Sequence, residues 1–118
     1  MDTKEYLESI LNDVVAAAHT VYSDALSAVV LFGSYARGDY SSDSDVDVIL
    51  FVDLPKTEIG TKYFDDILPI GAELSLKYGI LVSIKTQSTT EYRKYRNIIP
   101  FYRNIANEGS VYYGAIPA

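Results

Sequence analysis

Two aspartates one residue apart, Asp45 and Asp47, open an apolar run, and Gly33-Ser34 closes another just ahead of them in the stretch LFGSYARGDYSSDSDVDVILFV, residues 31–52. On a strand, alternate residues share a face, so the two carboxylates point the same way with Cα atoms about 6.6 Å apart. Like charges beside an apolar sheet repel and lose hydration, at a cost on the order of several kcal/mol unless a cation or hydrogen-bond donors compensate. A divalent cation is the natural compensation, and an all-oxygen site with open positions suits Mg²⁺, which completes its shell with water and phosphate oxygens. Gly33 lets the backbone approach an anion, the Ser34 hydroxyl and the following N–H groups can cradle phosphate, and Arg37 offers a fork for a phosphate oxygen. No activated serine or cysteine accompanies the set. Its chemistry is therefore phosphoryl or nucleotidyl transfer to an outside acceptor.

The elements that must position these groups follow from periodicity. Asp2 and Glu5 make a capping box, and Tyr6, Leu7, Ile10, Leu11, Val14, Val15 and Ala18 recur at helical spacing, giving a first helix that ends near Thr20. ALSAVVLF, 25–32, and DVDVILFV, 45–52, read as buried strands on either side of the polar loop. Pro55 opens a helix with Ile59, Tyr63, Ile67, Ile70 and Leu74 inward, which Pro69 should kink and Gly79 end. ILVSIKT, 80–86, is a third strand. Ser88 with Glu91 caps a further helical stretch reaching Asn107, interrupted near Pro100 and stopped by Gly109, and SVYYGAIPA is a tail or an edge strand. This order gives a single α/β domain over 1–118, with a small sheet of three to four strands flanked by helices.

The 118 residues, 48% hydrophobic, suffice for one core that buries roughly two thirds of the unfolded surface. No apolar run approaches the ~18 residues of a membrane span, and MDTKEYLESILNDV lacks a signal peptide's basic start, so the expected location is the cytoplasm. Without cysteine, and with His19 as the lone histidine, thiolate and His-rich metal sites are excluded, and any metal is held by oxygen. The net charge of −6 argues against a general nucleic-acid binder. The segment 85–103 is nonetheless basic, net +4, with Lys85, Arg93, Lys94, Arg96 and Arg103 against Glu91. It reads first as a solvated helix face and second as a strip for a partner or a phosphate. Eleven tyrosines, five of them at 92, 95, 102, 112 and 113, suggest half-buried packing before an interface. His19 reads as a helix-end or core residue, Asp39 and Asp43 as turn formers, and Asp53 as too far from Asp47, about 20 Å along the strand, to share a metal.

Gly33-Ser34, ten residues, then Asp45-Val46-Asp47 matches the GSx10DxD signature of the polymerase-β-like nucleotidyltransferase superfamily, and SYARG, 34–38, resembles its minimal nucleotidyltransferase (MNT) branch. The resemblance implies that fold for the whole chain, with Ser34 on the triphosphate and Asp45 and Asp47 as the catalytic acids binding Mg²⁺, two ions if the protein is active, with ATP as substrate. Stand-alone MNT proteins are frequently encoded beside a helical HEPN protein, a ribonuclease-type toxin, and some neutralise it by transferring AMP to a tyrosine. The resemblance therefore implies an antitoxin with a HEPN partner, using 85–103 and the tyrosines as docking surface, and leaves room for a homo-oligomer.

One departure stands out. Active members of the superfamily usually add a third carboxylate from a later strand, and 80–86 contains no acid. Alternation sets Leu81, Ser83 and Lys85 on one face and puts Ser83 at the expected position. Serine is a poor Mg²⁺ ligand and no base at neutral pH; Glu73, Glu91 and Glu108 are the later acids. The alternative is a catalytically degenerate member that binds and inhibits its partner without chemistry.

Overall fold

The expected alternation of helix and strand is found in the computed structural model, which describes residues 3–116. Helix α1 (Thr3–Tyr22) buries Ile10, Leu11, Val14, Ala18 and Tyr22 along one stripe; Asp2 of its expected capping box lies outside the described residues. Strands β1 (Leu26–Phe32) and β2 (Val46–Val52) flank a one-turn helix α2 (Ser34–Arg37). The chain continues through α3 (Lys56–Lys62), a widened turn at Tyr63–Ile67, α4 (Leu68–Tyr78), β3 (Val82–Ser88), α5 (Thr89–Tyr95), α6 (Pro100–Glu108) and β4 (Ser110–Gly114).

Two expectations are corrected. The break in the long helix lies before Pro69, not at it: the Leu68 N–H bonds to the Tyr63 carbonyl, a π-type turn. A proline ring clashes with the carbonyl four residues back, and widening the preceding turn relieves that clash without a kink at the proline. Strand β3 begins two residues later than its composition suggests, because Gly79 first closes α4 with φ 68° and the Val82 N–H then bonds to Ser75 Oγ at 2.9 Å. It also runs on to Ser88, which is at once its last residue and the cap of α5, accepting from the Glu91 N–H at 3.3 Å and donating to the Leu54 carbonyl at 2.9 Å.

The four strands form one mixed sheet in the order β3-β2-β1-β4, with β1 antiparallel to β2 and β4, and β2 parallel to β3. The C-terminal stretch is thus an edge strand, tied to α1 by the Tyr112 hydroxyl donating to Asn12 Oδ1. Under one face Val29, Leu31, Val46, Val48, Leu50, Val52, Val82 and Ile84 pack on α1, α3 and α4. Under the other, Ala28, Val30, Ile49 and Phe51 pack on Tyr92 of α5 and Ile105 of α6. Burial on both faces is why β2 reads as an unbroken apolar run. The second cover is the smaller, and Asp47 lies on its side of the sheet, beyond Ile49 and Phe51.

Ile105 is the aliphatic anchor of α6 and is fully buried. Ile105→Ala should cost about 2–5 kcal/mol in urea unfolding, whereas Leu76→Ala, at a residue 87% exposed, should change it by less than about 0.5 kcal/mol.

Candidate active site

The antiparallel register sets Phe32, the last residue of β1, opposite Asp47, and the parallel register sets Ser83 of β3 on its other side. Gly33 then turns the chain with φ 73° and ψ −152°, a conformation closed to ordinary L side chains. A Cβ at this position would stand 2.6 Å from Asp47 Oδ2. Glycine is therefore required twice, by the turn and by the carboxylate packed against it. The Ala36 and Arg37 N–H groups both bond back to the Gly33 carbonyl at 3.1 Å. Those of Ser34 and Tyr35, at the head of α2, have no carbonyl within the helix to bond.

Asp45 is exposed just before β2, and Asp47 is half-buried within it. Among the described residues neither carboxylate accepts a hydrogen bond or forms an ion pair. Burial first, and the Asp45 charge second, push the Asp47 carboxyl above its ordinary 3.8, against the opposing pull of Lys85 and Arg37. Two oxygen donors held together with no protein donor are a fitting seat for a hard divalent cation. Among the described residues no three acids or histidines converge into a fuller metal cage.

The remaining sequence-predicted groups divide. Arg37 lies at the site and is exposed, with Nε 3.2 Å from Asp39 Oδ2 and Nη1 3.9 Å from Glu108 Oε2. Asp39 is therefore an ion-pair partner rather than only a turn former. Of the three later acids, Glu108 approaches through Arg37, Glu73 lines a cavity between α1 and α4 on the opposite face, and Glu91 sits in the first turn of α5, past the far end of β3. Asp53 accepts from the Thr89 hydroxyl at 2.9 Å, and His19 packs edge-on against Tyr113. The tyrosines mostly pack: Tyr92 lies against Phe51, and Tyr102 accepts from Gln87 Nε2 at 3.1 Å.

Lys85, which alternation sets on the same face as Ser83, lies there and acts on Asp47. One neighbour of the site was not singled out from sequence. Phe101 of α6 meets Phe32 edge-on at 5.9 Å, a long-range contact with no local signal.

Residues 20–112 match the family model described as a nucleotidyltransferase domain. The chain belongs to the nucleotidyltransferase domain family. This nucleotidyltransferase domain is 33% identical over 106 residues, 90% of its length and 97% of the relative's, to a Methanocaldococcus jannaschii protein named "putative protein adenylyltransferase". Its fold is similar to that of a toxin-antitoxin crystal structure with AMP-PNP, with a TM-score of 0.55 at 16% identity over 88% of this chain and 73% of that one. It is also similar to a chain in the complex of a tri-AMPylated Shewanella oneidensis HEPN toxin with its MNT antitoxin, with a TM-score of 0.52 at 14% identity over 92% and 73%. Its four-stranded mixed sheet is the fold it shares with those structures. Among its described residues no helix is long and apolar enough to cross a membrane.

Because the Asp47 carboxyl titrates higher in the folded chain than in the unfolded one, the folded chain binds more protons between 3.8 and the raised value. Stability falls as pH rises through that window, and above it the ionised group remains a cost. Asp47→Asn should therefore raise the urea midpoint of the metal-free protein at pH 7, and the gain should fade as the pH approaches 3.8.

Proposed function

We propose that residues 1–118 act in the cytoplasm as one domain that transfers AMP from ATP to a hydroxyl of a protein acceptor, a HEPN-type toxin, and so serves as its antitoxin. The observation that carries this reading is the carboxylate pair, without protein donors, whose half-buried member Asp47 packs against the Gly33 turn. Asp45 and Asp47 would hold Mg²⁺, which when bound neutralises charge on the triphosphate oxygens. Ser34, with the N–H groups at the head of α2, would hold phosphate, and Arg37 would leave Asp39 and Glu108 to grip a further oxygen. The acceptor oxygen bonds to the α-phosphorus as the bond to the β-phosphate oxygen breaks. Pyrophosphate leaves, and the hydroxyl proton passes to solvent, since Ser83 is no base at neutral pH. The names of the relatives support the reaction class, and the HEPN complex supports the kind of partner.

Ser83 favours a second reading. It holds the place beside Asp47 where a third acid would complete the metal site, so a member that inhibits by binding alone fits the same fold. The two readings separate in one pair of assays on the chain co-expressed with a HEPN-type partner. The first predicts label from α-labelled ATP on the partner, reduced by about 10³-fold or more in Asp45→Asn/Asp47→Asn, as expected for losing several kcal/mol of charge stabilisation. It also predicts that the double variant binds the partner yet no longer relieves its toxicity. Undiminished relief, with no label under Mg²⁺ or Mn²⁺, would establish the second reading.

A further inference from the structure

Phe101 stands in the first turn of α6 with 38% of its surface exposed, although its ring is held in place. Phe32 meets it at 5.9 Å and 78°, Tyr102 at 6.3 Å, and the Lys85 ammonium lies 5.9 Å from its centroid. Both main contacts belong to the site. Phe32 is the cross-strand partner of Asp47, and Lys85, two residues beyond Ser83, acts on the Asp47 charge. Glu108, seven residues along α6 and so on the same side of that helix, reaches Arg37. This side of α6 therefore walls the carboxylate pair with an accessible aromatic ring at one end and a contact to the phosphate-side arginine at the other. Two other rings are more exposed: Tyr40, stacked on Tyr35 of α2, and Phe64 in the widened turn, which borders a cavity that Lys85 also lines; among the described residues neither ring meets Phe32, the cross-strand partner of Asp47.

We propose that Phe101 is the platform on which the nucleotide's base stacks while its triphosphate lies on the Gly33 turn, a proposal that rests on nucleotide binding at that turn. A base gains dispersion and hydrophobic contact on an aromatic face whatever its hydrogen-bonding edge. The ring is already fixed by Phe32, so little rotamer freedom remains to be lost on binding. The ammonium sits near the ~6 Å limit of a cation–π contact, and it yields the ring face at small cost to turn toward the triphosphate. Stacking by area favours purines over pyrimidines without selecting one purine.

The chain contains no tryptophan, so Phe101→Trp introduces a sole tryptophan, which red-edge excitation reads apart from the eleven tyrosines. With Mg²⁺ present, ATP should quench that fluorescence and inorganic tripolyphosphate should not. By calorimetry, Phe101→Ala should weaken ATP binding about 5- to 150-fold, leave tripolyphosphate binding unchanged, and erase the preference of the wild type for ATP over UTP. Equal ATP affinity in the wild type and Phe101→Ala, or an equal loss for ATP and tripolyphosphate, would overturn the platform and leave nucleotide binding standing. If the wild type binds neither ligand, the nucleotide-binding reading itself fails, and the platform with it.

Discussion

The carboxylate of Asp47 is placed where folding works against its charge. It is half-buried, has Asp45 as a like-charged neighbour, and packs so closely on the Gly33 turn that position 33 has no room for a Cβ. Lys85 and Arg37 pull the other way, but neither pairs with it. A chain selected for stability alone would put an apolar residue here, as it does at Ile49 and Phe51 further along the same face. The unmet charge is a local conflict of the kind that marks a site, because only a bound cation or donor from outside resolves it.

The rest of the architecture keeps that conflict open to solvent. The sheet is fully covered on one face by α1, α3 and α4, which fixes β1 and β2 in register and so fixes the distance between the Gly33 turn and Asp47. The second cover, α5 and α6, buries only a small cluster around Phe51, Tyr92 and Ile105. Phe101 and Glu108 form its border with the site. A rigid floor with a partial lid lets the carboxylates hold their geometry while one side stays accessible to a nucleotide and an acceptor.

Much of this was legible in the chain itself. Strong periodicity placed α1 and both site strands within a few residues, because apolar runs bounded by Asp24, Gly33 and Asp53 leave little choice of register. Alternation put Asp45 and Asp47 on one face and Ser83 beside them, and the ladder agrees for Asp47 and Ser83. Where reading failed, the cause was tertiary. The strain of Pro69 is relieved one turn upstream, a choice that local propensity does not encode. The start of β3 depends on Ser75, seven residues away. The approach of Glu108 to Arg37 and of Phe101 to Phe32 depends on how α6 lies on the sheet, which no local pattern announces.

The account turns on Asp45 and Asp47 acting together as a cation seat beside the phosphate turn. Its most direct test is anomalous diffraction from crystals grown with Mn²⁺ and a non-hydrolysable ATP analogue. The account predicts a manganese peak about 2.0–2.3 Å from an oxygen of each carboxylate, shared with triphosphate oxygens that also meet Ser34. A triphosphate bound elsewhere, or a metal peak that leaves either aspartate unligated, would contradict it.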